Sequence, residues 1–190
     1  MKRTVALVDG FNLFHALNSQ EHSPTDVDLV SLCSRLLNRK KETLDEVVFF
    51  SALATHLSDH ARRRQMKYLH QLEASGVKVV LGNFKKSLNT CRSCGFQAAK
   101  HEEKETDVNL ALAIFEIAHN RQVGKVLLFS ADTDMVPAVR KAKALNLDLE
   151  IRIVSTQQYL RNVSRTLILE ADGQIRLTEH LVRAHQFTNL

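Results

Sequence analysis

The chain has 190 residues, 44% hydrophobic and 25% charged, which is ordinary for a globular protein that buries a core without disulfides. It contains no run of 18 apolar residues, and the apolar run near its N-terminus is too short for a signal peptide, so we expect a single cytoplasmic domain over residues 1–190 and no membrane partner. Lys and Arg number 26 against 21 Asp and Glu, and the net charge of +5 is a mild bias towards a polyanionic partner.

Five short apolar runs with a bias towards β-branched residues predict strands. They cover residues 3–8, 46–53, 77–81, 125–129 and 149–154. The segments between and after these runs predict helices at 11–20, 25–38, 57–75, 107–121, 134–145, 156–163 and 178–186. Strands that alternate with helices indicate an α/β fold with three layers, α/β/α, around a mostly parallel central sheet of about five strands.

Two segments do not follow this alternation. Residues 82–105 show no clear periodicity, and we interpret them as an insertion loop that carries a cysteine pair. Residues 165–190 form a small C-terminal extension with a turn at Asp172-Gly173. Among the helix ends, Thr106 is a suitable N-cap for the helix at 107–121, and Gly76 is suited to ending the helix at 57–75.

Three aspartates are placed where a parallel sheet would bring them together. Asp9 and Asp132 follow predicted strands, and Asp107 begins a predicted crossover helix, which starts at the same carboxyl edge of the sheet. Clustered carboxylates repel one another, and a divalent cation is the usual remedy. Two neighbours could assist them, namely Asn12, three residues after Asp9, and Asp134, two residues after Asp132.

A single aspartate at a strand end or helix start is more often a cap than a ligand. The conjunction of three at one predicted edge is what favours a metal-dependent phosphoryl-transfer site. Magnesium and manganese prefer oxygen ligands and keep several waters, so a few carboxylates would suffice.

Three segments also carry a family resemblance. They read Val8-Asp9-Gly10-Phe11-Asn12, Glu103-Lys104-Glu105-Thr106-Asp107-Val108 and Ser130-Ala131-Asp132-Thr133-Asp134. In order and spacing, over roughly residues 3–178, they resemble the signature motifs of NYN domains, and most of all the LabA-like branch of the PIN-like nuclease superfamily. The third motif has Ala131 where many relatives have glycine, so a turn that depends on glycine is not expected there.

This resemblance implies a PIN-like fold, a Mg²⁺ or Mn²⁺ centre and ribonuclease activity. Carried over by motif, the metal-binding acids would be Asp9, Asp107 and Asp132. The residues that would support the acids or the substrate are Asn12, Ser130 and Asp134. Lys104 would contact a phosphate or restrain the acids.

The cysteine pair Cys91 and Cys94, followed by His101, has the spacing of part of a zinc site. A structural zinc needs a fourth ligand, which another histidine or Cys33 could supply. Two free cysteines in an exposed loop are an equally good interpretation.

Basic clusters indicate how a nucleic-acid backbone could be held. The residues we expect to contact phosphates are Arg62, Arg63, Lys85 and Lys86, although a solvated surface is the more common explanation of any one cluster. Phe11 and Phe14 could stack on a base, but core packing is the more common use of phenylalanine.

Three functions follow from these patterns. The first is a metal-dependent ribonuclease acting on RNA, with a single strand favoured because a crevice at a sheet edge admits an unpaired strand more readily than a duplex. The second is an RNA-binding or regulatory module with little or no catalysis. The third is another metal phosphotransferase, although a haloacid-dehalogenase-like site would need an aspartate where Phe11 stands.

Overall fold

The computed structural model describes residues 1–18, 26–54, 57–90, 93–156 and 164–187. Within these residues, seven strands form one sheet. They are β1 (Lys2–Asp9), β2 (Glu42–Ala52), β3 (Lys78–Thr90), β4 (Gln97–Lys104), β5 (Lys125–Phe129), β6 (Glu150–Thr156) and β7 (Gln174–Leu177). Their order is β4-β3-β2-β1-β5-β6-β7, and every neighbouring pair is parallel except β3 with β4.

In the described part of the chain, seven helices pack on the two faces of this sheet. They are α1 (Gly10–Asn18), α2 (Leu29–Leu36), α3 (Asp59–Ala74), α4 (Thr106–Asn120), α5 (Val136–Leu145), α6 (Arg165–Glu170) and α7 (Glu179–Arg183). A 3₁₀ turn at Thr133–Met135 precedes α5. No helix among the described residues is both long and apolar enough to cross a bilayer.

Two hydrophobic clusters, one on each face of the sheet, form the core. Side chains alternate along β1, so that Val5 and Leu7 pack into one cluster with α4 and α5, while Ala6 and Val8 pack into the other with α1, α2 and α3. This arrangement confirms the predicted α/β/α layers and the mostly parallel sheet.

The strand order reverses beside β1. Strands β2 and β3 extend to one side of β1 and strands β5, β6 and β7 to the other, so β1 and β5 are neighbours from which the connections diverge. In open α/β sheets the crevice beyond the carboxyl ends of two such strands is the usual ligand site. The fold therefore presents a candidate site where β1 and β5 end.

The segment that we interpreted as an insertion loop is an antiparallel hairpin, and this corrects the prediction for residues 82–105. Strand β3 continues to Thr90 and β4 returns, with paired positions from Asn83 and Lys104 to Thr90 and Gln97. Many of its described side chains are exposed on both faces, so the alternation of apolar and polar residues that marks a half-buried strand is missing.

The C-terminal part also differs in detail. The expected turn at Asp172-Gly173 leads into β7, which brings the sheet to seven strands, and the residues before it form α6. The helix predicted at 156–163 lies outside the described residues, except for Thr156, which ends β6. Helix α2 is shorter than predicted and runs from Leu29 to Leu36.

Candidate active site at the carboxyl edge of the sheet

Asp9 is the last residue of β1 and is almost fully buried, with 2% of its surface exposed. Its two carboxylate oxygens accept hydrogen bonds from the Asn12 backbone N–H at 2.9 Å and from Asn12 Nδ2 at 2.6 Å. Burial raises the pKa of Asp9, and the charge of Asp107 adds to that rise, although the Asn12 hydrogen bonds oppose it. Asn12 therefore fixes the orientation of Asp9, whose charged form is disfavoured by burial and by Asp107.

Gly10 explains why the first motif needs a glycine. A Cβ atom at this position would lie 2.4 Å from the Phe49 ring and 2.8 Å from the Phe50 carbonyl oxygen. Helix α1 therefore begins in close contact with β2, and only glycine permits this approach. The close fit holds Asn12 in the first turn, within reach of Asp9.

Asp132 follows β5 and is held in place by its own segment. Its backbone N–H donates to Ser130 Oγ at 3.2 Å, and its Oδ1 accepts from the Asp134 backbone N–H at 2.9 Å. Ser130 Oγ in turn lies 3.4 Å from Asp9 Oδ2, a long contact that links the two acidic segments. Ser130 is only 3% exposed, and this burial suits a supporting role better than contact with a substrate.

Ala131 fits its position without strain. Among the described non-glycine residues only Glu105 and Arg121 have a positive φ, so the backbone at 131 does not require glycine. The Ala131 side chain is 8% exposed and belongs to the hydrophobic core. The departure from the family's usual Ser-Gly-Asp therefore leaves the turn that presents Asp132 intact.

Asp107 lies in the first turn of α4, after an unusual entry into the helix. The residue before the helix, Glu105, has a left-handed backbone with φ 77°, so Thr106 is not the N-cap that we predicted. Thr106 Oγ1 instead donates to Glu103 Oε1 at 2.5 Å. Partial burial raises the pKa of Asp107, and the charges of Asp132 and Asp134 raise it further.

Glu103 is an acid that the sequence reasoning quoted in a motif but did not assign to the site. It lies near the end of β4, and its pKa is raised by burial and by the charges of Asp9 and Asp107, against the opposing hydrogen bond from Thr106. A signal was present in the sequence, because Glu103 precedes Asp107 by only four residues. The hairpin that turns it inwards was not predicted.

A cleft of about 900 Å³ joins these groups. The structure brings Asp9, Asp107 and Asp132 to this one cleft from three distant parts of the chain, together with Asn12 and Glu103. Asp134 does not line the cleft, although its charge acts on Asp107. No described lysine or arginine forms an ion pair with Asp9, Asp107 or Asp132.

The donor set has the chemistry of a site for a hard divalent cation. It offers carboxylate oxygens and an amide oxygen, which suit Mg²⁺ or Mn²⁺ better than softer metals. As the side chains stand, no three acidic, histidine or cysteine groups among the described residues are close enough to enclose an ion. An ion would therefore have to draw the acids inwards across the cleft.

The three arginines near the start of α3 line two different cavities. Arg62 and Arg63 line a separate concavity along α3, with Met66, Lys67 and His70, whereas the neighbouring Arg64 lines the acidic cleft. Arg64 has no ion pair with a described acid, while Arg62 pairs with Asp59. The arginine cluster was therefore recognised, but which of its members lines the cleft was not.

The hairpin carries the remaining predicted residues. Lys85 and Lys86 are exposed on β3 and do not line the cleft, whereas Lys104 does line it and pairs with Glu102 at 2.9 Å. His101 lies opposite Lys86 and also lines the cleft. Cys91 lies outside the described residues, and Cys94 is an exposed free thiol, so the predicted zinc site stays a prediction.

The sheet topology and the acidic cleft at the reversal point place the protein in a definite class, an α/β protein with a fold consistent with the PIN-like type. Comparison of the sequence with protein families is more specific. The chain belongs to the NYN domain family, which matches residues 3–178. NYN domains are generally nucleases, and this nuclease family generally uses divalent metals.

Among the solved structures that match is one that is similar over nearly the whole chain. It is a protein of unknown function from Vibrio parahaemolyticus, with 21% sequence identity and a TM-score of 0.64, and the match covers 93% of each chain. At that identity the likeness shows the shared fold alone. No curated protein matches the chain.

Proposed function

We propose that the protein is a metal-dependent ribonuclease of the LabA-like NYN branch, which hydrolyses phosphodiester bonds in single-stranded RNA with Mg²⁺ or Mn²⁺. One observation carries this proposal. Three aspartates from separate segments, together with Glu103, line one cleft at the reversal point of the sheet, and no described cation pairs with the three aspartates.

Apart from local hydrogen bonds at the starts of α1 and of the 3₁₀ turn, the three aspartates form no described ion pair that would hold the fold together. Burial and mutual repulsion raise the pKa of Asp9, Asp107 and Glu103, which means that their surroundings disfavour their charged forms. Such clusters concentrate at functional sites. Asp9, Asp107 and Asp132 would hold the metal ion, which when bound would lower the pKa of a water and polarise the phosphate.

The other residues would orient the acids and the substrate. Asn12 donates to both oxygens of Asp9, and the Asp134 backbone N–H fixes Asp132, so these two carboxylates are orientated before any ligand arrives. Arg64 at the cleft wall would contact a backbone phosphate, because its guanidinium is not engaged by a described acid.

The test compares decay of end-labelled single-stranded RNA by wild-type protein and by Asp132→Asn, in Mn²⁺ or Mg²⁺ and in EDTA. We expect metal-dependent decay by the wild type and only background decay by the variant. Asp148→Asn is the matched control, because Asp148 is an exposed aspartate in the turn before β6, outside the acidic cleft. Equal decay by wild type and Asp132→Asn would remove catalysis at this site.

A second candidate is an RNA-binding module with little or no catalysis. The observation that favours it is that no three described acidic, histidine or cysteine groups are close enough to hold an ion together. Retention of RNA by the wild type without decay in either metal, at protein concentrations that saturate binding, would select this candidate over the ribonuclease.

A further inference from the structure

We propose that Phe11, Phe14 and His15 form a stacking surface for an unpaired nucleobase at the mouth of the acidic cleft. This inference deepens the proposed function and rests on it for the identity of the polymer. It assigns selection of a single strand to three residues of α1, the helix that begins directly after Asp9.

The burial of α1 separates these residues from the core. Leu13, Ala16 and Leu17 are 8%, 6% and 5% exposed and pack against the sheet. Phe11 and Phe14 are 50% and 43% exposed, so core packing, which we considered the more common use, does not account for them. Positions 11, 14 and 15 follow the i, i+3, i+4 spacing that places three side chains on one side of a helix.

The His15 ring contacts both phenylalanine rings. The His15 ring centre lies 4.3 Å from that of Phe11 and 5.8 Å from that of Phe14, with the rings nearly perpendicular at 71° and 81°. No described ring stacks face to face on either phenylalanine. The His15 ring therefore helps to hold both phenylalanine rings in place, and each phenylalanine still presents aromatic surface to the cleft.

The cluster and the acids share one cavity. Phe11, Phe14 and His15 line the same cleft of about 900 Å³ as Asp9, Asp107 and Asp132, and Leu57 adds apolar surface that is 48% exposed. Arg64 lines this cleft too. This combination suits a nucleotide: the aromatic surface would take the flat base, Arg64 a phosphate, and the acidic centre the scissile ester.

A duplex cannot use such a surface, because its bases are stacked on one another inside the helix. An unpaired base exposes both faces and stacks on aromatic side chains with little dependence on its identity. Loss of one stacking ring reduces affinity by about 5- to 150-fold, which follows from the usual contribution of one stacked base.

The experiment measures binding of the full chain to a single-stranded oligoribonucleotide that contains 2-aminopurine, whose fluorescence falls when the base stacks. Ca²⁺ replaces Mg²⁺ and Mn²⁺, and a gel verifies that the probe stays intact. We expect quenching by the wild type, and about 5- to 150-fold weaker binding with less quenching for Phe11→Ala and for Phe14→Ala. Binding to the same sequence as a duplex should not change.

Phe115→Ala is the matched control. Phe115 is 40% exposed on α4 and contacts a histidine four residues later, His119, just as Phe11 contacts His15. It does not line the cleft, so its loss should leave binding and quenching unchanged. Thermal unfolding of all variants verifies that each is folded at the assay temperature.

The outcomes separate the stacking surface from the nuclease. Undiminished affinity of Phe11→Ala and Phe14→Ala, or equal affinity of the wild type for an intact and an abasic oligonucleotide, overturns the stacking surface even if RNA decay is metal-dependent. Quenching that requires Phe11 and Phe14, without decay in Mg²⁺ or Mn²⁺, supports the surface and overturns the ribonuclease.

Discussion

Replacing Lys125 by methionine should destabilise the fold, because the partly buried carboxylate of Glu42 would lose its counter-ion. Lys125 begins β5, is 6% exposed and places its Nζ 2.9 Å from Glu42 Oε1 and 3.6 Å from Glu150 Oε1. Glu150 would keep its ion pairs with Lys2 and Arg152. Glu42 would keep its bond to the Asn38 backbone N–H but no described cation.

The expected loss is about 2–3 kcal/mol at pH 7. Removing one partner of a buried ion pair typically destabilises by about 3–5 kcal/mol, because the remaining charge is uncompensated. The value should be lower here, since the side chains of Glu42 and Glu150 keep 12% and 20% exposure. Methionine fills most of the lysine volume, so a cavity contributes little.

The pH dependence identifies the cause. Burial opposes ionisation of Glu42, but bonds from Asn38 and Lys125 outweigh it and lower its pKa. Without Lys125 the folded pKa of Glu42 rises, and protonation then removes the uncompensated charge. The deficit of the variant should therefore shrink as the pH falls through the raised pKa of Glu42 in the variant towards its lowered pKa in the wild type.

Glu150 behaves differently over the same range. Burial disfavours its charge, but hydrogen bonds from Arg152 and Lys2 and the charge of Lys125 lower its pKa to about 2. A lowered folded pKa stabilises the fold above the unfolded value, and this stabilisation is lost as the pH falls towards 2. Lys2 and Arg152 persist in the variant, so Glu150 should account for the smaller share of the deficit.

Urea unfolding at pH 7 and pH 4 measures these differences for the wild type, K125M and the double variant K125M/E42Q. The double variant should recover much of the loss, because a neutral amide leaves no buried charge. A K125M protein as stable as the wild type at pH 7 would refute the reasoning. So would a deficit that is unchanged at pH 4 and in the double variant.

Three further substitutions test the segments around the cleft. Gly82→Ala should lower the free energy of unfolding by about 1–3 kcal/mol and slow RNA decay, because the alanine Cβ would lie 2.4 Å from the Lys104 carbonyl oxygen. Wild-type stability together with a wild-type rate of decay would contradict this packing. Glu105→Gly should raise the melting temperature by removing left-handed strain that costs about 1 kcal/mol, and a fall would show that the side chain matters more. Ala131→Gly should lose about 0.5–1 kcal/mol in urea unfolding and leave RNA decay unchanged; faster decay would show that the turn favours glycine.

The positions of Asp9 and Asp132 could be predicted because they depend on a general property of parallel sheets. Each follows a short apolar run, and the carboxyl ends of parallel strands share an edge. The sequence did not have to reveal side-chain contacts for this inference, only which runs are strands. The same reasoning placed Asp107 at the start of α4.

Glu103 and Arg64 could not be predicted in the same way. Glu103 reaches the cleft on a hairpin whose described faces are largely exposed to water, so no hydrophobic periodicity marks its strands. Three consecutive arginines point in directions about 100° apart around α3. Which of them faces the cleft depends on how the first turns of the helix pack, and this is a tertiary property.

Charged side chains affect stability in opposite ways at the two ends of the parallel strands. At the edge where β5 begins, Lys125 offsets the glutamates beside it, so deleting a charge there should weaken folding. At the carboxyl ends of the strands, Asp107 is repelled by Asp132 and Asp134 and has no described counter-ion. Neutralising Asp107 would therefore remove a repulsion instead of leaving a charge uncompensated. An amide at position 107 should therefore give a more stable protein that does not degrade RNA, which is the usual trade-off where a functional site opposes stability.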